Sequence, residues 1–359
     1  MENAITVPGT RHSFVEIDLQ AIKDNVAWLG SLTKPGTRQM AVIKGDAYGH
    51  GAVQVAKALQ NQVSRFGVAN VDEAIELREA GVTLPIMVFG VPTPETAPVY
   101  QSYDLTASVS HLSQFEILPD GVEAHVHFDT GMGRLGLRPD QLSEVLEVIN
   151  QSRVNVVGVM SHFPCADDPE SELSARQLER FRSLAAEFPE HYERHIHNTG
   201  GILYHYSPDC TMVRHGIGIY GYDPGPQPRK ELQPALTWKS RVVQSKPLKK
   251  GESISYGARW KADRDGWLVT VPVGYADGLP RNLTGKISYL LEGQKVPVRG
   301  VISMDYTMLF SDHQIEPGTE VTVMGPKGDD ARKLAEASDT ITYELLTRIA
   351  EKVPRKHIL

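Results

Sequence analysis

Short runs of apolar and β-branched residues recur along the first two thirds of the chain, separated by more polar segments. Most of these segments place apolar residues at the spacing of an amphipathic helix, as in residues 51–60, 71–81, 138–150 and 171–188. Strands and helices are therefore predicted to alternate, with one strand about every 20 to 35 residues. The predicted strands are MAVIK (40–44), RFGVA (65–69), PIMVF (85–89), LTASV (105–109), EAHVHF (123–128), NVVGVM (155–160), RHIHN (194–198) and TMVRHG (211–216).

This alternation predicts an N-terminal (β/α)8 TIM-type barrel over residues 1–234, because repeated βα units build a parallel sheet that closes on itself. The segment GVPTPETAPVYQSYD (90–104) is rich in proline and predicts an irregular connection between two of the strands. A barrel with seven or nine strands is the alternative that this segment leaves open.

The pattern changes after about residue 235, where alternating β-rich runs follow one another with turn residues between them and no helices. Residues 235–359 are therefore predicted to form a second, mainly antiparallel β domain. TITYELLTRIAEKV (340–353) is predicted to be a closing helix. Residues 1–18 precede the first barrel strand and can pair with this second domain instead of the barrel.

The net charge of the chain indicates which classes of binding partner are expected. The net charge is −7, from 37 Lys and Arg against 44 Asp and Glu, so no basic excess is available to neutralise nucleic acid or an anionic membrane. The first residues lack a secretory signal, and no apolar stretch reaches about 18 residues, so we expect a cytoplasmic protein. Cys165 and Cys210 are the two cysteines, without metal spacing, and we expect no metal site. A small molecule is the expected partner.

Polar side chains end several predicted barrel strands, and the carboxyl ends of barrel strands form the mouth where active sites lie. Lys44 ends the first strand, Asp129 the fifth, His162 follows the sixth, Asn198–Thr199 the seventh, and Arg214 the eighth. We expect these groups to converge at one mouth.

The loop RHGIGIYG (214–221) offers backbone N–H groups after the eighth strand, where barrels often bind phosphate. The residues around Lys44 contain no nucleotide P-loop. A cofactor that carries an aldehyde for a lysine and a phosphate for this loop is pyridoxal 5′-phosphate.

Structural explanations compete with these roles. A lysine at a strand end can extend into solvent, a lone histidine such as His162 is often a hydrogen-bonded core residue, and Arg134 can simply brace its loop. The glycine-rich segments GDAYGHG after Lys44 and DTGMGRLG around Arg134 favour binding roles.

The chain resembles the alanine racemases over nearly its whole length. The resemblance lies in AVIKGDAYGHG, DTGMGRLG, MSHF, HNTGG, VRHGIGIYG, SYGARW, VPVGYADGLPR and GVISMD, which occur in the family's order. It implies a pyridoxal-phosphate barrel followed by a C-terminal β domain.

By this resemblance, Lys44 would bond covalently to the cofactor, and Lys44 and Tyr256 would be the two catalytic bases on opposite faces of the substrate. Arg214 would face the pyridine nitrogen, with His162 behind it, and the phosphate would lie among Tyr48, Thr199, Gly216 and Ile217. The implied substrate-binding residues are Arg134, Met304, Asp305 and Tyr275.

Tyr256, Met304 and Asp305 would reach the active site from the partner subunit, so the resemblance implies a head-to-tail homodimer with shared active sites. The sequence departs from the family at three positions. His127 replaces a lysine that many members carbamylate to brace the arginine, Glu351 replaces a tyrosine near the phosphate, and Thr199 replaces a serine. A carboxylate beside a phosphate is repulsive, so we expect Glu351 to point away.

The implied function is interconversion of L-alanine and D-alanine on a pyridoxal-phosphate adduct, which would supply D-alanine for peptidoglycan. The alternatives are a racemase of broader specificity that accepts serine or other amino acids, a pyridoxal-phosphate lyase or decarboxylase of the same fold, and a carrier of the cofactor without catalysis. Tyr256 favours a racemase, because only proton transfer on two faces requires a second base there.

Overall fold

The computed structural model describes residues 11–325 and 328–359, so the expectation of no secretory signal at the N-terminus lies mostly outside the described residues. The chain divides into a compact unit of residues 20–233 and a second unit formed by residues 234–359 with the segment that ends at residue 19. None of the helices in the described ranges combines the length and the apolar composition that crossing a bilayer requires.

The unit of residues 20–233 is built on eight parallel strands, which confirms the predicted TIM-type barrel. The first strand of the chain, β1 (Phe14–Asp18), belongs to the other unit. The barrel strands are β2 (Arg38–Val42), β3 (Arg65–Val68), β4 (Ile86–Val88), β5 (Leu105–Val109), β6 (Glu123–His127), β7 (Asn155–Met160), β8 (Glu193–His195) and β9 (Met212–His215). Neighbouring strands pair in the order β8-β7-β6-β5-β4-β3-β2-β9. Between β8 and β9, the Thr211 amide donates to the Arg194 carbonyl at 3.0 Å.

Helices connect these strands. They are α1 (Leu19–Ser31), α2 (Lys44–Gly49), α3 (Ala52–Leu59), α4 (Val71–Glu79), α5 (Ala97–Ser102), α6 (Gln114–Ile117), α7 (Leu142–Gln151), α8 (Glu172–Ala186) and α9 (Thr199–Tyr204). The proline-rich connection is more regular than predicted, because α5 forms within it with a proline in its first turn, where proline costs no helical hydrogen bond. The Asn198 side chain caps α9 by accepting from the Gly201 amide at 2.9 Å.

Methionines fill much of the barrel interior below its mouth. Met40, Met87, Met160 and Met212 form one buried cluster, against which the partly buried Phe89 packs. Unbranched thioether side chains adapt to irregular gaps, so they suit an interior that must also contain polar groups.

The second unit is mainly antiparallel, as predicted. Its strands after β1 are β10 (Leu236–Arg241), β11 (Gln244–Leu248), β12 (Ser253–Ile254), β13 (Trp260–Lys261), β14 (Gly266–Val271), β15 (Ser288–Leu291), β16 (Gln294–Arg299), β17 (Thr307–Ser311), β18 (Glu320–Met324) and β19 (Arg355–Ile358). The large sheet has the order β11-β14-β17-β16-β15-β18-β10-β1-β19, and β12 pairs with β13. β1 pairs antiparallel with β10 and parallel with β19.

The predicted closing helix over residues 340–353 is wrong in extent. The structure has α10 (Ala331–Ala337) and a short α11 (Thr342–Thr347). The carbonyls of Ile349, Ala350 and Val353 accept from the Arg355 guanidinium instead of continuing a helix.

Candidate active site

A partly open cavity lies at the carboxyl ends of the barrel strands. Its lining combines apolar side chains with a few convergent polar groups, as is typical of a site for a small ligand. Eight of the residues singled out in the sequence line it together, namely Lys44, Tyr48, His127, Arg134, His162, Asn198, Arg214 and Gly216. Of the strand-end groups predicted to converge, Lys44, His162, Asn198 and Arg214 line this cavity, whereas Asp129 and Thr199 are not part of its lining.

Lys44 stands at the start of an unusual left-handed turn. Gly45, Asp46, Ala47 and Tyr48 all have φ between 51° and 61°, although left-handed helix costs about 1–2 kcal/mol per residue for L-amino acids. Two carboxylates stabilise the turn. Glu73 accepts from the Gly45 amide at 2.7 Å, and Asp46 accepts from the Ala52 amide at 2.7 Å. The turn brings Lys44 and Tyr48 to the same cavity.

Lys44 is exposed as a whole residue, but the surroundings of its amine shift that group toward the neutral form. Burial lowers the pKa of Lys44, the positive charges of Arg134 and Arg214 lower it further, and Glu73 partly opposes them. A neutral lysine amine can attack a carbonyl carbon and accept a proton, which the ammonium form cannot do. Lys44 therefore has the electrostatics of a reactive amine.

Thr199 organises a small cup beside Lys44. Its hydroxyl oxygen accepts from the amides of Gly216 at 3.0 Å and Gly218 at 3.2 Å. A Cβ atom on Gly216 would lie 3.3 Å from the Tyr48 hydroxyl and 3.6 Å from the Thr199 hydroxyl. The space among these groups exists because residue 216 has no side chain. Ile217, the fourth predicted member, is buried and directly follows Gly216.

The Thr199→Val variant is expected to destabilise the protein by about 1–3 kcal/mol, because it leaves the buried Gly218 amide without its acceptor while keeping the side-chain shape. The Thr199→Ser variant keeps the hydroxyl and serves as the control. Thermal unfolding of both variants measures the difference. Equal melting temperatures for the two variants would contradict a structural role for this hydroxyl.

Arg214 is a buried donor on the cavity wall. Its guanidinium donates to the carbonyls of Ser161 at 2.7 Å, Ile196 at 3.0 Å and His195 at 3.0 Å, and its Nη2 lies 3.2 Å from His162 Nδ1. Burial lowers the pKa of Arg214 to about 10, so the group stays protonated at neutral pH. Burial, followed by the charge of Arg214, also lowers the pKa of His162 far enough to keep that imidazole neutral.

The loop that contains Arg134 is fixed by Asp129. The Asp129 carboxylate accepts from the amides of Gly131, Met132 and Gly133 at distances of 2.7–3.1 Å. This arrangement explains why an aspartate precedes the glycine-rich segment, because its side chain replaces backbone acceptors in the turn. Arg134 itself is exposed at the mouth.

His127, which the sequence resemblance sets in place of a lysine, also lines the cavity. Burial, together with the charge of Arg214, lowers the pKa of His127 to about 4. The imidazole is therefore neutral at neutral pH and cannot supply the negative charge of a carbamate to Arg134.

The other predicted residues lie in the second unit, where three chain segments meet. The Tyr275 amide donates to the Ser303 carbonyl at 3.1 Å, and the Ser255 hydroxyl donates to the Val301 carbonyl at 2.6 Å. The side chains on these segments are unusually exposed for aromatic and apolar residues, at 71% for Tyr256, 43% for Tyr275 and 53% for Met304. Asp305 is exposed as well. Glu351, on another turn of this unit, is also exposed.

Sequence analysis missed several lining residues of the cavity. Val42 and Met160 end β2 and β7, and Phe89 follows β4, so the strand-end criterion that selected Lys44 also applies to them. Leu135 completes the wall. The criterion was applied to charged and hydroxyl groups, whereas apolar strand ends shape the cavity equally.

Two family models match almost the whole chain, "Alanine racemase, N-terminal domain" over residues 17–224 and "Alanine racemase, C-terminal domain" over residues 235–357. An alanine racemase of Streptococcus pneumoniae (strain Taiwan19F-14) is 37% identical over 361 residues, covering 97% of this chain and 98% of that protein.

Solved structures agree with these matches. An alanine racemase of Clostridium difficile 630 superimposes with a TM-score of 0.92 at 31% identity, covering 98% of this chain and 96% of that one. A histidine racemase from Leuconostoc mesenteroides subsp. sake superimposes with a TM-score of 0.88 at 30% identity, covering 98% and 99%. Because both units match the family models and the similarity to these enzymes spans nearly the whole chain, the chain belongs to the alanine racemase family.

Proposed function

We propose that the protein interconverts L-alanine and D-alanine with pyridoxal 5′-phosphate bound in the barrel cavity, and that Lys44 and Tyr256 are the two bases. The observation that supports this most strongly is the presence of a lysine with a lowered pKa and an anion-sized cup in one cavity. The product would supply peptidoglycan synthesis, and a requirement for added D-alanine after deletion of the gene would test that role.

The residues present fit this cofactor. Lys44 offers the amine for its aldehyde, and the space among Tyr48, Thr199 and Gly216 accepts a phosphate that a Cβ at residue 216 would obstruct. Burial raises the pKa of Tyr48, so its phenol stays protonated and can donate to a phosphate oxygen. The bound cofactor supplies an electron sink that acidifies the α-proton of an amino acid.

Within this function, Lys44 Nζ accepts or returns the α-proton on one face of the substrate. Arg214 donates hydrogen bonds but keeps its own protons at neutral pH. It would therefore not transfer a proton to the pyridine nitrogen. This limits transamination, a side reaction that full protonation of the ring favours. The exposed Arg134 is suited to a substrate carboxylate at the mouth, since guanidinium and carboxylate groups pair with two hydrogen bonds.

The second base, Tyr256, is proposed to come from a partner subunit in a head-to-tail homodimer. The support is the exposed cluster of Tyr256, Tyr275, Met304 and Asp305 on the second unit. Contiguous exposed aromatic and apolar side chains mark surfaces that bind another molecule. A small substrate pocket walled by Tyr256 and Tyr275 would favour alanine over larger amino acids.

A panel of L-alanine, L-serine and L-histidine in deuterated water tests the reaction and its specificity. We expect L-alanine to lose its optical rotation and to incorporate deuterium at the α-carbon. We expect kcat/KM for alanine to be about tenfold or more above that for serine, because a small pocket must accommodate the added hydroxyl of serine. Histidine belongs in the panel because a histidine racemase shares the fold.

Comparable rates for serine or histidine would favour the racemase of broader specificity. Release of carbon dioxide or loss of the amino acid side chain would favour the decarboxylase or lyase. Absence of any turnover with cofactor bound would favour the carrier.

A further inference from the structure

A column of polar side chains crosses the barrel interior beneath the candidate active site. At the amino ends of the strands, Arg38, Arg65, Glu123 and Glu193 are the first residues of β2, β3, β6 and β8. Arg214 lies at the opposite end, on the cavity wall. His125 and His195, both fully buried, lie between these two ends.

Three close contacts join Arg214 to Glu193 through the two imidazoles. Arg214 Nη1 lies 2.6 Å from His195 Nδ1, and His195 Nε2 lies 2.7 Å from His125 Nδ1. His125 Nε2 lies 3.2 Å from Glu193 Oε2. The first two contacts are hydrogen bonds, whereas the step from His125 to Glu193 is a close electrostatic contact without hydrogen-bond geometry. This path of close contacts runs from the cavity wall to the ion cluster at the other end of the barrel.

Arg214 and Glu193, at the two ends of this path, determine which nitrogen of each imidazole carries the proton. A guanidinium only donates hydrogen bonds and an ionised carboxylate only accepts them, whereas a neutral imidazole has one donor and one acceptor nitrogen. Burial lowers the pKa of both His125 and His195, which favours neutral imidazoles. One arrangement fits both ends: on both histidines Nδ1 is the acceptor and Nε2 carries the proton, so that His125 Nε2–H faces the negative Glu193 carboxylate.

Glu193 is suited to the acceptor end. Burial alone would raise its pKa, but the contact with His125 and the charge of Arg65, 3.4 Å away, lower the pKa to about 2. Arg38 also pairs with this carboxylate. Among the residues that the structure describes, Arg214 forms no ion pair, and its partners are carbonyls and imidazoles. Glu193 is thus the carboxylate that the path of close contacts connects to Arg214.

We propose that Glu193 and His125 are positioning residues for Arg214 and act on it through His195. The ionised carboxylate fixes the tautomers of both imidazoles, so that His195 presents an acceptor to Arg214 Nη1 and holds the guanidinium plane against the cavity wall. The functional consequence rests on the proposed function, in which Arg214 faces the cofactor ring. The path of close contacts itself involves only this chain.

Neutron diffraction from the deuterated full-length wild-type protein, with and without pyridoxal phosphate, tests the proton arrangement directly. We expect deuterium on Nε2 and none on Nδ1 of both His125 and His195 in either state. Deuterium on Nδ1 of either histidine overturns the proposal. This measurement does not depend on turnover, so its outcome is separate from that of the proposed racemase function.

A pair of carboxylate variants tests the consequence for catalysis. Glu193→Gln removes the charge at the end of the path, whereas Glu123→Gln removes a carboxylate that lies 3.8 Å from the same Arg65 and is 45% exposed. We expect Glu193→Gln to lower kcat by about tenfold to a hundredfold with little change in KM, since small displacements of a catalytic-site group cost this much. Glu123→Gln is expected to keep the wild-type kcat.

Equal kcat values for Glu193→Gln, Glu123→Gln and wild type would overturn the positioning role. Thermal unfolding of both variants separates a loss of folded protein from a loss of turnover. If Glu193→Gln does not fold, the neutron result on the wild type still decides the tautomers. If the wild type itself neither binds pyridoxal phosphate nor racemises alanine, the proposed function fails. The neutron result can still establish the tautomers along the path of close contacts.

Discussion

The Lys44→Ala variant is expected to lose alanine racemisation by at least about a thousandfold, because it removes both the covalent attachment for the cofactor and one proton-transferring base. Burial and the charges of Arg134 and Arg214 lower the pKa of this amine, which favours its nucleophilic neutral form. Racemisation is measured by optical rotation, and covalent cofactor binding by mass spectrometry after borohydride reduction.

Lys57→Ala is the matched control, because Lys57 is an exposed lysine on α3 in the same unit. We expect it to keep wild-type turnover and covalent labelling by the cofactor. Substantial racemisation by Lys44→Ala, or cofactor trapped on a different lysine in the wild type, would show that the reactive amine has been assigned wrongly.

The Tyr256→Phe variant is expected to lower racemisation by about a hundredfold to ten thousandfold, the usual contribution of a general base. The loss should be asymmetric. Exchange of the α-proton for deuterium should persist with the enantiomer whose proton faces Lys44 and fall sharply with the other. Exchange rates for L-alanine and D-alanine in deuterated water, followed by NMR, measure this asymmetry.

The exposed Tyr306, on the same segment as Met304, offers a control through Tyr306→Phe, which removes a phenol without removing the proposed base. We expect this variant to exchange both enantiomers at similar rates. Mild, equal effects of Tyr256→Phe on both enantiomers would contradict proton transfer by two bases.

A hybrid of Lys44→Ala and Tyr256→Phe subunits tests whether the active site is shared. Co-expression with two different tags isolates dimers that contain one subunit of each kind. If each site combines Lys44 of one subunit with Tyr256 of the other, one of the two sites has both native residues and the hybrid should recover about half of wild-type activity. If each site lies within one subunit, both sites lack a base and the hybrid should stay inactive.

Much of the barrel was predictable because its strands are short apolar runs that amphipathic helices separate. The carboxyl-end rule places Lys44, His162 and Arg214 at one mouth from the sequence alone. The left-handed turn at residues 45–48 was not predictable, because only Gly45 among its four members favours positive φ. Contacts with Glu73 and Ala52, outside the turn, supply the stabilisation that local preference lacks.

The contact between His125 and His195 could not be predicted from the sequence, for a different reason. Glu123 and His125 alternate on β6 as Glu193 and His195 alternate on β8, so the sequence indicates that each pair shares one face of its strand. It does not reveal that His125 and His195 meet across β7, which lies between β6 and β8 in the sheet. That contact depends on the stagger and curvature of three strands, which no short segment encodes.

The left-handed turn also constrains attempts to make this enzyme more thermostable. Asp46, Ala47 and Tyr48 already adopt a conformation that opposes their intrinsic preference. Branched residues such as valine or isoleucine, often introduced by consensus libraries, would add to that conformational penalty. Mutagenesis for heat resistance should therefore leave residues 45–48 unchanged and concentrate on exposed positions of the barrel helices, where intrinsic helix preference can be improved without disturbing the lysine.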